Sequence, residues 1–588
     1  MKEDPCSPED IAVKSYFLGP MGENFSWFQD LFHELLELWD KERWLVNESS
    51  GRAISETDQK TDPYSRERKK MIAQAKLLRS RLQSEVPIYS SKFMSHMVYE
   101  SSIVGLLGHM ITLLHNPNLI SSEVSQQASF LEKEAISDLL EMVGYSAKGE
   151  GHFTSGGTVA NIEALWRARF RMDHWLALGA MLDSQSSSAR DSWFSWAHMG
   201  WQEYYKYIEQ DIEESLLEET SFVLQNPFQL ANKFSELYKK TYVGPVILVP
   251  GNKHYSWQKG ASLLGYGMEA FWQVALDEMG RLDVHDLHVN IEKAKGEHRP
   301  ILMVVSVAGT TEMGEFDPVD QVQNLLDQYQ AEEGLFIWHH VDAAYGGFYA
   351  SFLKGQRTSQ DFSALEVNLQ KSLEAFSRVD SITIDPHKLG YVPYSCGAIL
   401  LPDENNYRTS SFHAPYIGES KEKWMRTLEG SRAATGAGAT WLTAKTLGFH
   451  QNGIGRILQK GILARKRLQT LMRSMLPEAR FLDNYDTNVF CFCVAHEGET
   501  LSQVNERTLR IFSDHYNQEG YFVSKTTLEV KSYGKYIKNL VGTWKGHIDV
   551  EKLVLIRLVF MNPFFVSKVQ SQLIDQEFIQ RLSQYIKK

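Results

Sequence analysis

The run Asp380-Ser381-Ile382-Thr383-Ile384-Asp385-Pro386-His387-Lys388-Leu389-Gly390 decides how this chain is read. Positions 381–384 are short, β-branched and apolar enough to form a buried strand, and Pro386 then fixes a turn. The turn presents His387 and Lys388 side by side, and Gly390 allows close backbone approach to a ligand. A lysine after a strand is ordinarily a surface residue. A second segment changes that reading: Leu335-Phe336-Ile337-Trp338-His339-His340-Val341-Asp342-Ala343-Ala344-Tyr345-Gly346-Gly347 places an acid at the carboxyl end of another apolar run. Such an acid either caps the next helix or faces a ligand. Open α/β sheets bind ligands outside the carboxyl ends of their strands, so Asp342 and Lys388 can converge on one crevice.

Two more segments end in the same way. Phe153-Thr154-Ser155-Gly156-Gly157-Thr158 runs into Val159, Ile162, Trp166 and Phe170 at helical spacing, and a helix N-terminus offers free N–H groups and positive dipole to an anion. Leu248-Val249-Pro250-Gly251-Asn252-Lys253-His254-Tyr255-Ser256 carries a histidine, a planar ring able to stack. Buried strands are predicted at 244–250, 301–308, 335–341 and 381–384, with helices between them. Asp317 is predicted as the N-cap and Pro318 as the first residue of a helix whose apolar face is Val319, Val322, Leu325, Leu326 and Tyr329. Strand, helix, strand predicts a mainly parallel α/β sheet.

The chain has 588 residues, enough for two or three domains, and an ordinary globular composition with 43% hydrophobic and 23% charged residues. Its net charge of −12 disfavours attraction to nucleic acid or anionic membranes. Cys6, Cys396, Cys491 and Cys493 are too few and too unevenly spaced for a disulfide framework or a zinc site; a reducing, cytoplasmic setting and no metal are expected. The polar, acidic opening and the short apolar run at 103–114 predict neither a secretion signal nor a membrane span. The first hundred residues read as mainly helical: 21–46 carries Phe28, Leu31, Leu35, Leu38 and Trp39 at helical spacing, and the basic stretch 66–81 reads as a solvated helix side. An aromatic-rich insert is predicted at 173–242, with Trp175, Trp193, Phe194, Trp196, Trp201, Tyr204, Tyr205 and Tyr207 as core residues and a serine loop at 184–188. Helices at 436–449 and 454–475, then strand character at 488–494 and 553–560, predict an α+β unit. Three parts are expected: a helical segment over 1–120, a large α/β domain over 121–430, and a smaller α+β domain over 431–588.

An anion cradle, a stacking ring, a carboxylate and an amine from successive strand ends are the equipment for pyridoxal phosphate. That cofactor needs backbone donors for its phosphate, a carboxylate to keep its pyridine nitrogen protonated, and a deprotonated lysine to condense with its aldehyde. The Asp-Pro-His-Lys turn, the His-Val-Asp-Ala-Ala-Tyr-Gly-Gly strand end and Thr-Ser-Gly-Gly-Thr resemble the group II pyridoxal phosphate dependent amino-acid decarboxylases over roughly residues 80–570. Lys253-His254-Tyr255-Ser256-Trp257, the insert, and the stretch from Asp385 to Ser395 are most similar to bacterial tyrosine decarboxylases.

The resemblance implies the fold type I, aspartate aminotransferase-like architecture of pyridoxal phosphate dependent transferases. It also implies Lys388 as the cofactor-binding lysine, Asp342 as partner of the pyridine nitrogen, His254 stacked on the ring, and Gly157 and Thr158 at the phosphate. Thr311 and Ala344 line the cofactor, and Asp385 and His387 flank the lysine; Asp385 departs from the asparagine of several members, and an acid beside phosphate needs a compensating donor. Arg557 matches the arginine for the substrate α-carboxylate, His96 the N-terminal active-site histidine, and Tyr394 the tyrosine that returns a proton to Cα, with Tyr391 a nearby rival. The implied reaction is decarboxylation of an L-amino acid, aromatic by overall similarity, to an amine and carbon dioxide. Leu558-Val559 departs from the small residue and serine near the substrate hydroxyl in tyrosine decarboxylases, so phenylalanine, tryptophan or a non-aromatic acid stays open. Another carbon–carbon lyase, an aldehyde synthase of the same fold, and a catalytically silent relative are the alternatives. A homodimer is implied, the N-terminal helices wrapping the partner.

Overall fold

Strand β1 (Phe93–Met94) lies far from its sheet partners in sequence, whereas β2 (Glu150–Thr154), β3 (Val246–Pro250), β4 (Phe271–Val274), β5 (Ile301–Val307), β6 (His339–Asp342), β7 (Ser381–Ile384) and β8 (Gly397–Leu401) build the central sheet of this computed structural model. The structure describes residues 8–185, 192–209, 217–355, 367–409, 426–483, 485–513, 521–565, 567, 571 and 573–586. The central order is β2-β8-β7-β6-β5-β3-β4; β3 to β7 pair in parallel, and β8 runs against both β7 and β2. All residues of β3, β5, β6 and β7 are buried, as expected for parallel strands with both faces covered. Register pairs Val307 with Asp342 and Asp342 with Thr383, so the carboxyl ends of β5, β6 and β7 stand level.

Two sequence expectations are corrected in detail. The strand expected from 335 begins only at His339, because the backbone of Phe336 is paired outside the sheet: its N–H donates to His198 O at 2.9 Å, and its carbonyl meets His198 Nδ1 at 2.8 Å. The helix Val319–Glu333 has Pro318 at its N-cap and no side-chain cap, because the Asp317 carboxylate accepts instead from Leu282 N and Val307 N, both at 2.7 Å. The apolar face of that helix is as expected, with Val319, Val322, Leu326 and Tyr329 buried and Leu325 half-buried.

The aromatic stretch begins inside a single helix, Gly157–Gln185. Trp175 sits on its inner face, edge-on to Trp201 and Phe336 with ring centroids at 5.2 and 5.4 Å, and the Arg171 guanidinium lies 4.7 Å from its ring centroid. Of the expected serine loop, Ser184 is still helical and 186–188 fall outside the described residues, as does Cys6. Cys396, Cys491 and Cys493 are free and buried.

A second sheet, order β1-β11-β12-β10-β9, is built from β9 (Ala479–Arg480), β10 (Val489–Val494), β11 (Phe522–Glu529) and β12 (Lys552–Val559) together with β1. β1 pairs in parallel with β11 and so carries an N-terminal strand into the C-terminal sheet. Val489, Phe490 and Leu555 of this sheet belong to the same apolar cluster as Val341, Ile382 and Ile384 of the central sheet. The N-terminal helices Phe25–Asn47 and Asp62–Leu82 bury none of their residues. Among the described residues no helix is long and apolar enough to cross a membrane.

Candidate active site

A cavity of about 320 Å³ opens at the carboxyl ends of β3, β5, β6 and β7. Gly157, Thr158, His254, Thr311, Asp342, Ala344, Asp385, His387, Lys388 and Tyr394 all line it, so side chains singled out along 238 residues of chain, from 157 to 394, meet in one crevice. His96 and Arg557 are not among its lining residues.

Lys388 Nζ lies 3.0 Å from Asp385 Oδ2, with 24% of the lysine side chain exposed. Burial alone pulls the ammonium down, but Asp385, through charge and hydrogen bond, and then Asp342 outweigh it and hold Lys388 above the ordinary lysine range. Two carboxylates thus favour the charged amine in this arrangement, and condensation with an aldehyde requires that its proton leave first. His387 Nδ1 contacts Cys396 O at 2.5 Å, and its Nε2 lies 3.6 Å from Asp385 Oδ2. Burial outweighs Asp385 and keeps the His387 imidazole below its usual pKa.

Asp342 is held chiefly by Asn161 and Trp257, side chains to which the sequence reading gave no role. Its Oδ2 accepts from Asn161 Nδ2 at 2.8 Å and from Trp257 Nε1 at 3.2 Å, while Oδ1 meets Ala344 N–H at 3.4 Å. Asn161 Nδ2 also donates to Ser256 Oγ at 3.0 Å, and Ser256 Oγ lies 2.9 Å from His254 Nδ1. Burial lowers the His254 pKa, with Asp342 opposing and Lys388 adding to the fall, so the ring is neutral near neutrality. The missed signal was spacing: Asn161 is one helical turn beyond Gly157 and faces the same way as the glycine turn.

The anion-facing turn is equally tight. A Cβ on Gly157 would lie 2.8 Å from Asp385 Oδ2 and 3.0 Å from Ala344 Cβ, so only glycine lets Asp385 sit beneath the turn. Glu429 Oε2 accepts from Ser155 N–H at 3.1 Å, while Gly157 and Thr158 open the helix, where the first N–H groups lack intrahelical partners. At the end of β5, Gly309 has φ +88°, a left-handed turn that brings Thr311 to the cavity.

Tyr394 rests on His387 with ring centroids 4.2 Å apart. Partial burial and the Asp385 charge, against Lys388, hold its phenol above the ordinary range. Tyr391 is placed otherwise: it is buried, donates its hydroxyl to Met561 O at 2.7 Å, and packs edge-on against Phe17. Arg557 and His96 form a second group. Arg557 Nη1 donates to Ser524 Oγ at 3.2 Å, and the same hydroxyl donates to Ser95 O at 2.5 Å, beside His96. Arg557 Nε is buried without a hydrogen-bond partner among the described residues. Partial burial and the Arg557 charge lower the His96 pKa. Glu312 next to Thr311, also missed from sequence, is pushed up to about 7 by burial against the charges of Arg557 and Lys253, and its Oε2 has no partner among the described residues.

These residues fit pyridoxal phosphate. Asp342 has one oxygen with room for a further donor, Lys388 brings an amine, His254 a neutral flat ring, and the Gly157 cradle backbone donors without a side chain. Asp385 Oδ1 is buried without a hydrogen-bond partner among the described residues, a polar atom still open to a donor. Fold and cavity together define a pyridoxal phosphate enzyme of fold type I. Comparison with known proteins narrows this. Residues 230–492 match the pyridoxal-dependent decarboxylase conserved domain. L-Tyrosine decarboxylase of Enterococcus faecium is 27% identical over 600 residues, 95% of each chain. Oryza sativa TDC, solved with PLP and tryptamine, shares the fold at TM-score 0.63 and 14% identity, covering 96% of this chain and 98% of that one. Rhodiola rosea 4-hydroxyphenylacetaldehyde synthase does so at TM-score 0.60 and 14% identity, over 95% and 98%. The chain is similar to the bacterial tyrosine decarboxylases over nearly its whole length, and with the decarboxylase domain over 230–492 it is a pyridoxal phosphate dependent amino-acid decarboxylase.

Proposed function

We propose that the substrate is an aromatic L-amino acid, tyrosine or a close analogue, and that Lys388, Asp342, His254 and Tyr394 act on it in a cytoplasmic homodimer. The observation that carries the reading is one cavity lined at once by Lys388, Asp342 and His254; a relative that spans nearly the whole chain and is an L-tyrosine decarboxylase supports the substrate. Pyridoxal phosphate, when bound, supplies an electron-poor ring that stabilises the charge left on Cα as carbon dioxide departs.

Lys388 holds the group through its ε-amine after giving up a proton, and Asp385 Oδ2, 3.0 Å away, faces that proton. Asp342 favours the protonated ring nitrogen, since an adjacent carboxylate stabilises the charged form. His254 would cover one ring face, and the N–H groups of Gly157 and Thr158, at the positive end of a helix, would hold the phosphate. Arg557 receives the α-carboxylate, with His96 beside it, and Thr311, Ala344 and His387 complete the walls. Tyr394, its phenol held in the protonated form, returns a proton to Cα. The chain divides into a helical segment over 1–120, a cofactor domain over 121–430 and a smaller domain over 431–588. The exposed Trp27, Trp44, Leu45, Met71 and Leu78 of the N-terminal helices support a homodimer in which these helices pack on the partner.

The test is a panel of the common L-amino acids with added cofactor, scored for carbon dioxide and for amine against aldehyde. Tyrosine or another aromatic acid is expected to give carbon dioxide and amine in equal amounts, and Lys388→Ala to give neither. Aldehyde as the main product would overturn the reading in favour of a synthase.

A further inference from the structure

Asp342 and His254 approach the cavity from different strand ends, yet one hydrogen-bonded chain joins them. Asn161 is the branching point: its Nδ2 reaches Asp342 Oδ2 at 2.8 Å and Ser256 Oγ at 3.0 Å. Asn161, Ser256 and Asp342 are 1%, 0% and 4% exposed, so water does not substitute for any of these bonds. The direction of each bond follows from the chemistry. An ionised carboxylate only accepts, so the amide must turn its NH2 toward Asp342; the opposite flip would set two acceptors face to face. With Nδ2 spent on both partners, Ser256 Oγ is the acceptor in its bond with Asn161 and keeps its own proton to give. That proton goes to His254 Nδ1 at 2.9 Å, and Ser256 N–H points at the same nitrogen at 3.3 Å. Nδ1 thus faces two donors and carries no hydrogen itself. In a neutral imidazole the proton then stands on Nε2, the nitrogen turned away from Ser256.

We infer that Asn161 is a positioning residue: through Ser256 it uses the charge of Asp342 to lock His254 in the Nε2–H tautomer, so that the ring over the cofactor presents an N–H donor. The carboxylate that serves the ring nitrogen and the histidine that covers the ring are set by one amide. An Nε2–H can hold a carboxylate oxygen of an amino-acid substrate, whereas the opposite tautomer would aim a lone pair at it. Asn161 Oδ1 is buried at the cavity wall without a hydrogen-bond partner among the described residues, consistent with an amide oriented by what its NH2 must satisfy. The inference rests on the reading that His254 covers the cofactor, but its test does not require turnover.

The experiment labels the imidazole nitrogens of the full-length protein with 15N and follows His254, identified by the signals lost in His254→Gln, before and after loading with pyridoxal phosphate. The unaltered protein is expected to show His254 as the Nε2–H tautomer in both states. In Ser256→Ala and Asn161→Ala the tautomer ratio is expected to move at least about five-fold toward Nδ1–H, the loss of one buried hydrogen bond, since the 3.3 Å contact from the residue 256 backbone remains. With whichever aromatic substrate reacts, kcat is expected to fall roughly ten- to a hundred-fold while KM changes less than about three-fold. Ser256→Ala removes a single oxygen and keeps the test alive if Asn161→Ala does not fold. An Nδ1–H tautomer in the unaltered protein, or a ratio unmoved in the variants, overturns the inference. Absence of decarboxylation with the tautomer behaving as described would count against the substrate reading alone.

Discussion

Lys388 and Asp385 form the contact on which cofactor capture turns. Asp385 holds the ammonium charged, and an amine attacks an aldehyde only after losing its proton, so the pair sets the pH at which the cofactor is taken up. Asp385→Asn removes the largest charge opposing deprotonation, and loading of the cofactor-free protein, followed by absorbance, is expected to shift to lower pH. A profile shifted to higher pH would show that Asp385 is not the residue raising the lysine. The two nearby tyrosines separate in the same way. Tyr394→Phe is expected to lower kcat by roughly 10²- to 10⁴-fold with little change in thermal stability. Tyr391→Phe strips the donor from Met561 O and is expected to cost about 1–2 kcal/mol of stability while leaving a larger share of kcat. Residues inside the quoted motifs were legible because each motif carries its own chemistry. Asn161 was not, since its meaning comes from Asp342, 181 positions away.

At the scale of elements, the buried parallel strands were readable because both faces are covered and the runs are continuously apolar. Their edges were not. Whether Phe336 belongs to β6 depends on His198, and whether Asp317 caps a helix depends on Leu282 and Val307; none of these partners adjoins the residue it binds. The two-residue strands β1 and β9 carry no periodicity to detect. Asp380, just before β7, shows what such remote contacts do. Burial pushes its carboxyl up to about 7, against the His339 N–H at 2.8 Å and the Arg171 charge. A carboxyl with a raised folded pKa stabilises fully below its unfolded value near 4 and loses that contribution as pH rises through about 7. Asp380→Asn keeps an acceptor for His339 N–H and cannot ionise, so its melting temperature relative to the unaltered protein is expected to rise between pH 5 and 8. A difference that falls over that range contradicts a raised carboxyl.

For the whole molecule, the N-terminal helices pose the clearest question. Trp44, Leu45 and Val46 are 60%, 76% and 81% exposed along a helix that buries nothing, a surface suited to a second chain. We expect sedimentation at micromolar concentration to give a dimer, and Trp44→Asp with Leu45→Asp to shift it toward monomer; a monomer before substitution removes this proposal. The helices themselves were legible from spacing, but what covers them lies outside one chain's sequence. Whether Lys388 holds pyridoxal phosphate is decided by loading the protein, fixing the bound cofactor with borohydride, and locating it by peptide mass spectrometry. One cofactor per chain is expected on the peptide containing Lys388 and none in Lys388→Ala; a label on another lysine, or carbon dioxide release persisting in Lys388→Ala, would overturn the assignment.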